Sequence, residues 1–346
     1  MSESRGLRDL VGCWLNERWR TELALRKTEP ADGCWLDLCN RSERLSRDAA
    51  TGGRYCHWRD SSELTVSRVF PETGPRLLAK CLAEHPVHLE FGARALPSDL
   101  PGASVLIAIG GADRLPQFEI ALASLRGQDH GDYEIVVVEQ GAPSGLEDLL
   151  PPDVGYHWTP PQEDGFNKSW ALNVAARAAR GRHLLIQDGD YVVGRDYVSS
   201  CVAALERVEA LRPGRLIFKL DRDSTREVMA GRALLDAPGL EGIVQNNPTP
   251  LAVRAETYRR IGGHDESFFG WGGEDVEFLD RLRTASISEG GFLPLLHLWH
   301  PSAPKKRSGD RNRERHLARL GVPAPERIIA LEKLDWGRPG EPCWAS

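Results

Sequence analysis

Val105-Leu-Ile-Ala-Ile-Gly-Gly111 is five apolar residues in a row closed by two glycines. That is the pattern of a strand buried on both faces that stops at a sharp turn. Outward from it, residues 115–125 carry apolar side chains at helical spacing, and residues 133–138 form a second apolar run. Residues 168–179 are alanine-rich and helical in pattern. Residues 182–186 are a third strand-like run, leading directly into Asp188-Gly-Asp190. Residues 197–211 read as a further helix and 216–220 as a further strand. Strands alternating with helices of this length imply an α/β fold, a mostly parallel sheet flanked by helices on both faces. Such sheets bind ligands where their strands end, so the residues after each strand are the place to look for chemistry.

Ahead of this stretch, residues 1–100 read differently. They are rich in Arg, Cys and Trp (Trp14, Trp19, Trp35, Trp58), and no helical or alternating period lasts long in them. We read 1–100 as an N-terminal accessory region, with an acceptor-related role as its expectation, 101–320 as the α/β domain and 321–346 as a C-terminal tail. Ala95-Leu-Pro-Ser-Asp-Leu-Pro-Gly102 is linker-like. At 346 residues, 41% hydrophobic and 27% charged, the chain is globular in composition. No apolar run approaches the ~20 residues of a transmembrane helix. The opening Met-Ser-Glu-Ser-Arg5 lacks a basic patch followed by an apolar core, so no signal peptide is expected. A net charge of −6 argues against a general nucleic-acid binder. The seven cysteines are an odd number, and a chain this long needs no staples, so reduced thiols in a cytoplasmic protein are the expectation. Cys34, Cys39 and Cys56-His57 offer zinc ligands, though not at the tight C-x2-C spacing of a structural site.

Three features follow strands. Asp188-Gly-Asp190 brings two hard oxygen ligands to a flexible turn, suited to a divalent cation or a ribose hydroxyl, although the same tripeptide also makes an ordinary turn. Gly270-Trp-Gly-Gly-Glu-Asp275 opens an apolar-periodic helix. Acids in a first helical turn are favoured by the dipole, but a tryptophan among three glycines is an odd choice for a mere cap. An aromatic face beside carboxylates suits a sugar, whose C–H surface stacks while its hydroxyls need acceptors. His297-Leu-Trp-His300 ends the apolar run 292–296. Residues three apart on a strand face opposite ways, so both imidazoles reach one metal only if the chain turns there, as Pro301 allows. After it, residues 301–320 hold seven Lys/Arg (Lys305, Lys306, Arg307, Arg311, Arg313, Arg315, Arg319) against Asp310 and Glu314. This is either a solvated basic helix or a mobile cationic flap over a diphosphate.

In this order the motifs resemble the GT-A glycosyltransferases, and among them the inverting branch of β-1,4-galactosyltransferases and chondroitin-polymerase-like enzymes, over about residues 104–315. Gly270-Trp-Gly-Gly-Glu-Asp275 resembles the family's W-G-G-E-D, Phe166-Asn-Lys-Ser-Trp-Ala-Leu-Asn173 its F-N-R-x-x-x-L-N, Asp188-Gly-Asp190 its D-V-D, and His297-Leu-Trp-His300 its M-x-x-H. The resemblance implies a GT-A (Rossmann-like) fold and a hexosyltransferase. It implies a manganese (or magnesium) ion on Asp190 and His300, with His297 standing where the family can place methionine. Asp188 would hold the ribose or the metal through water. Phe166, Lys168, Arg114 and Gln140 would meet the nucleotide, which the resemblance implies is UDP in a UDP-sugar. Lys168 replaces the family's arginine, and Gly110-Gly-Ala112 its Pro-Phe-Arg. Asp275 would be the catalytic base, with Glu274, Trp271, Gly272 and Gly273 binding acceptor or donor sugar.

The implied reaction moves a sugar from the nucleotide to an acceptor hydroxyl with inversion. The competing readings are a retaining GT-A transferase, a nucleotidyltransferase on a similar sheet, and a non-catalytic sugar-binding protein. The acceptor stays open among glycan, lipid-linked, peptide, small-molecule and nucleic-acid classes. The sequence leaves the oligomeric state open as well.

Overall fold

The computed structural model describes residues 7–26, 33–58, 60–163, 165–236, 238–270, 272–301 and 309–343. In chain order the strands are β1 (Leu45–Arg47), β2 (Arg54–Cys56), β3 (Ser62–Glu63), β4 (Ala103–Ile109), β5 (Tyr133–Gln140), β6 (Val154–Thr159), β7 (His183–Asp188), β8 (Tyr191–Val193), β9 (Ala210–Leu211), β10 (Gly214–Leu220), β11 (Leu240–Gln245), β12 (Leu251–Arg254), β13 (Ile287–Ser288) and β14 (Leu293–His297). The helices are α1 (Leu7–Cys13), α2 (Trp19–Arg26), α3 (Thr65–Val69), α4 (Thr73–Glu84), α5 (Leu115–Arg126), α6 (Leu146–Leu149), α7 (Lys168–Ala178), α8 (Tyr197–Leu205), α9 (Arg222–Gly231), α10 (Ala255–Arg260), α11 (Glu274–Leu282), α12 (Gly309–Leu320) and α13 (Ala324–Glu332).

The α/β architecture expected from the alternation is present. A seven-stranded sheet runs in the order β13-β9-β12-β7-β4-β5-β6. Its centre, β7-β4-β5-β6, is parallel, with Val105 opposite Ile135 on one side and Leu185 on the other. Helices α5 and α8 bury Phe118, Leu122, Leu125, Tyr197 and Val198 against one face. From α7, α10 and α11 come Trp170, Leu172, Tyr258 and Phe278, which cover the other. Because β4, β5 and β7 are parallel, their carboxyl ends, Ile109, Gln140 and Asp188, lie on one edge of the domain.

Three sequence expectations need correction. The sheet is not the whole of the β-structure, because β3-β11-β10-β14-β8 form a second, mostly antiparallel sheet of five strands. Strand β10 alternates between two cores, with Ile217 facing the first and Leu216, Phe218 and Leu220 facing the other. The expected helix over 197–211 stops at Leu205, and Ala210–Leu211 instead pairs with β12 and β13. Sheet pairing of buried apolar residues overrides a helical period here. Residues 1–100, expected to lack persistent period, contain the twelve-residue α4, whose Leu77, Leu78 and Cys81 are fully buried. With Trp35, Leu36 and Leu64, that helix packs on Phe218, Leu220 and Leu296 of the second sheet. Residues from 321 onward also lie on the domain: Trp170 Nε1 donates to Arg338 O at 2.7 Å, and the Glu266 carboxylate accepts from Gly337 N at 2.7 Å and Cys343 N at 2.6 Å. No helix among the described residues is long and apolar enough to cross a membrane.

Candidate active site

Asp190 stands in the turn between β7 and β8, and it is buried at 5% exposure. His300 Nε2 lies 3.2 Å and His297 Nε2 3.9 Å from Asp190 Oδ2. Strand β14 ends at His297, and the turn beyond it is tied down at three points. Leu298 N donates to Asp190 O at 3.0 Å, Trp299 N to Thr225 Oγ1 at 2.9 Å, and Gln117 Nε2 to Trp299 O at 3.0 Å. Departure from the strand brings both imidazoles to one carboxylate, as their spacing required.

This donor set suits a divalent cation. Ligand atoms of Asp190, His297 and His300 all lie within 4.8 Å of one another, and among the described residues this is the one such group of three or more His, Cys, Asp or Glu. The zinc reading of Cys34, Cys39, Cys56 and His57 therefore gathers no such group. His300 Nδ1 is 2.9 Å from Pro301 O. A carbonyl only accepts, so we assign the proton to Nδ1, which leaves the Nε2 lone pair aimed at Asp190 Oδ2. A lone pair and a carboxylate oxygen at that distance call for a proton or a cation between them. Burial pushes the Asp190 carboxyl up, but with a proton between it and His300 Nε2, that hydrogen bond and the charges of protonated His297 and of Arg114 outweigh it and hold it below its ordinary value. Burial likewise lowers the His297 imidazole, which favours the neutral, metal-binding form. Carboxylate and imidazole together fit manganese or a similar borderline ion.

Beside this cluster lies a second one. Lys168 Nζ, in the first turn of α7, is 2.7 Å from Asp188 Oδ1 and 3.0 Å and 3.1 Å from the two oxygens of Asp275. Burial opposes the Lys168 charge, yet Asp188, Asp275 and Glu274 overcome it and hold the ammonium well above its usual range. Asp275 is raised by burial and by Asp188, against the pull of Lys168. Glu274 is pushed up to about 7, first by burial and then by the Asp275 charge, and its Oε2 has no hydrogen-bond partner among the described residues. Thr249 Oγ1 donates to Asp188 Oδ2 at 3.2 Å, and the Tyr191 ring stands edge-on to His297 at 5.4 Å.

The glycine-rich loop explains how two acids reach this place. Gly270, Gly272 and Gly273 have φ of 72°, 98° and 94°, which few side-chain-bearing residues adopt. They turn the chain so that α11 begins with Glu274 and Asp275 pointing into the site. Trp271 lies outside the described residues. The Phe166-Asn-Lys segment braces the same loop. Asn167 Nδ2 donates to Glu266 O at 2.6 Å, and Gly270 N donates to Phe166 O at 2.7 Å. Asn173 Nδ2 reaches His264 O at 2.9 Å and Glu266 Oε1 at 2.8 Å. Sequence reading named neither asparagine for a role, and their shared target on 264–270 is visible only in three dimensions. Thr249 and Tyr191 were also missed, although the polar run Asn246-Asn-Pro-Thr249 after a strand was a usable signal.

The remaining candidates divide. Arg114 Nη1 donates to Asp190 Oδ2 at 3.1 Å, so it joins the first cluster. Phe166 packs on Gly110, where an added Cβ would fall 2.5 Å from the ring. Gln140 Oε1 accepts from Asn167 N at 2.5 Å, which commits its oxygen to the loop brace, while its buried Nε2 has no partner among the described residues. Of the basic stretch, Lys305, Lys306 and Arg307 and the Arg311 side chain lie outside the described residues. Arg319 Nε pairs with Asp265 Oδ2 at 2.8 Å, Arg315 donates to Ser267 O, and Asn312 Nδ2 donates to Phe269 O at 2.6 Å. Helix α12 is therefore fastened to the loop ahead of the glycines, so it is not a free flap.

Known proteins resemble this chain in two separate segments. Residues 113–228 match glycosyl transferase family 2, and residues 250–299 match the family described as the N-terminal domain of galactosyltransferase. The validoxylamine A glucosyltransferase of Streptomyces hygroscopicus subsp. limoneus is 24% identical over 275 residues, which is 67% of this chain and 59% of that protein. The chain thus spans about three fifths of that relative's length. Among solved structures, the mannosyltransferase of Pyrobaculum calidifontis in complex with GDP-Man and Mn2+ is 18% identical at a TM-score of 0.43, over 71% of this chain and 70% of that one. TarS residues 1–349 of S. aureus with UDP is 14% identical at 0.43, over 66% and 70%. The first family segment carries Arg114, Lys168 and the 188–190 turn, and the second carries the glycine loop, Asp275 and His297. The chain therefore carries a segment that matches glycosyl transferase family 2, followed by one that matches a galactosyltransferase domain, on one mixed α/β fold.

Proposed function

We propose that this protein is a metal-dependent inverting glycosyltransferase that moves a hexose from a nucleotide sugar, with UDP as the carrier to test first, to an acceptor hydroxyl. The observation that carries the reading is the adjacency of two clusters at the carboxyl edge of one parallel sheet. One is a set of three candidate cation ligands (Asp190, His297, His300); the other is an acid pair, Glu274 buried and Asp275 partly exposed, on a glycine turn. A sugar nucleotide needs both, because its diphosphate leaves with growing negative charge while its acceptor must lose a proton. A bound divalent ion supplies Lewis-acid neutralisation of that leaving charge.

The protein's own groups do the rest. Arg114, already on Asp190, adds a second positive charge on the leaving-group side. Lys168 holds Asp188 and Asp275 before the donor arrives; the diphosphate competes for its ammonium, and Asp275 is released to accept the acceptor's proton. A carboxylate raised by burial is a better base near neutral pH. Glu274, protonated over much of the same range, donates a hydrogen bond to a sugar hydroxyl. The relative named as a glucosyltransferase makes glucose the first hexose to try.

The deciding experiment is Asp275→Asn. Transfer should fall by roughly the 10²–10⁴-fold that a general base contributes, while UDP binding in the presence of manganese stays within about twofold of the parent. NMR of the product should show the anomeric centre inverted. Normal transfer by the Asn variant, or retention at that centre, overturns the assignment.

A further inference from the structure

Residues 7–26 form one continuous helical rod, α1 and α2 joined by a five-residue π-helical stretch, Trp14–Arg18, with helical backbone at both joints. Most of its large apolar side chains face outward. The side facing the protein buries Cys13, Glu17, Thr21 and Ala24, with Leu10 and Leu25 partly buried against the core. The side facing solvent is apolar: Leu7, Val11, Trp14, Leu15, Trp19 and Leu23 are each about half exposed or more, from 49% to 77%. A helix that only packs on its own domain does the reverse. At ~1.5 Å per residue this stripe, from Leu7 to Leu23, is about 24 Å long, and contiguous apolar surface of that kind marks an interaction site. The π-helical turn widens the helix by a residue, so that Trp14 and Leu15 both face out.

The charges around the stripe select the occupant. Arg8, Arg20 and Arg26 are without an ion pair among the described residues, and the Arg20 guanidinium lies over the Trp19 ring at 5.5 Å. Of the acids whose side chains are described, Glu17 is buried, and Glu22 is held by Arg18 and Arg76, at 3.4 Å and 2.9 Å. The stripe is thus rimmed by uncompensated positive charge. Stacked against a second copy, the two faces would set arginine against arginine. Tryptophan and leucine along the middle with arginine at the margins instead match the boundary between anionic headgroups and acyl chains.

We infer that the 7–26 helix is a docking surface for an anionic lipid bilayer, with Trp14, Leu15 and Trp19 entering the interface and Arg8, Arg20 and Arg26 meeting headgroup phosphates. The protein then works as a peripheral enzyme on that surface.

Flotation of the full chain with phosphatidylglycerol/phosphatidylcholine vesicles, against phosphatidylcholine alone, tests this. Binding should require the anionic lipid and weaken as salt rises. Leu15→Glu with Trp19→Glu should lower binding at least tenfold, and each of Arg8→Glu, Arg20→Glu and Arg26→Glu by roughly fivefold or more. The circular dichroism spectrum and melting midpoint should stay fixed, because these side chains are exposed. Leu149→Glu, another exposed apolar position at 69%, should leave binding unchanged. Absence of flotation, or flotation indifferent to Leu15→Glu/Trp19→Glu, refutes the inference. So does a lipid-free dimer that the same double variant dissolves, since a second copy would then cover the face.

Discussion

At the scale of single residues, the site is a contest between burial and charge. Asp190 and Lys168 are both buried ions whose partners overcome the desolvation penalty, whereas for Glu274 the penalty wins. A carboxyl raised from 4.5 to about 7 binds its proton more tightly folded than unfolded. Stability attributable to Glu274 is therefore present below pH 4.5 and is lost as pH rises toward 7, by on the order of 3 kcal/mol. Glu274→Gln removes that dependence. Urea unfolding at pH 5 and pH 8 should show the difference between the two pH values shrinking in the variant; an unchanged difference would mean that Glu274 is ionised throughout. The His300 prediction rests on geometry. With Nδ1 held by Pro301 O and Nε2 aimed at Asp190, His300→Ala should weaken manganese binding at least tenfold by calorimetry. Chelation with EDTA should stop transfer, and added manganese should restore it in the parent at concentrations that fail in the variant. Equal manganese affinity in both proteins would remove His300 from the ligand set.

At the scale of elements, what matters is which segment holds which. The glycine turn before α11 is fixed from the Phe166–Asn173 segment by five hydrogen bonds that converge on 264–270. Phe166 is itself seated on Gly110, at the end of β4. A side chain at 110 must push that ring, and the ring's own carbonyl carries Gly270 with it. Gly110→Val is expected to cost about 1–3 kcal/mol, the usual range for overpacking, and to lower donor affinity and turnover together. Chemical denaturation and transfer kinetics check both parts, and a variant with parental stability would show that Phe166 yields without strain. The sequence carried half of this: Gly110-Gly111 was legible as the end of a strand, but the departure from the Pro-Phe-Arg pattern gained its meaning only once the ring was seen against it. The second sheet was harder to read. Its strands β8 and β11 are short or broken in pattern and antiparallel, and β10 serves two cores, so no single period announced them.

At the scale of the whole molecule, the site depends on chain from both ends of the sequence. The buried Glu266 carboxylate, 2% exposed, is satisfied by Asn173 and by the backbone of Gly337 and Cys343. Deleting residues 334–346 leaves it without two of its donors and leaves Trp170 Nε1 without its acceptor. A buried polar group deprived of its partner costs about 1–3 kcal/mol, so the truncated chain should lose several kcal/mol in denaturant titrations and most of its activity. Stability equal to the full chain would show that the tail merely lies on the surface. From the other end, α4 and Trp35 close the core beneath the sheet that delivers His297, which ties residues that read as an accessory to the position of a metal ligand.

The sequence alone determined the local parts: buried strands from unbroken apolar runs, helices from their period, and carboxylates, glycines and histidines stationed where strands stop. These are decided over a few residues by side-chain pattern and backbone freedom, which is why they could be read in order. Tertiary structure alone decided that Asp190 and His300 meet, 110 positions apart, that Lys168 bridges Asp188 and Asp275, and that the basic helix is fastened rather than free. Those pairings depend on how two sheets and their helices pack, and on which buried charges end close enough to compensate one another. No local pattern encodes either.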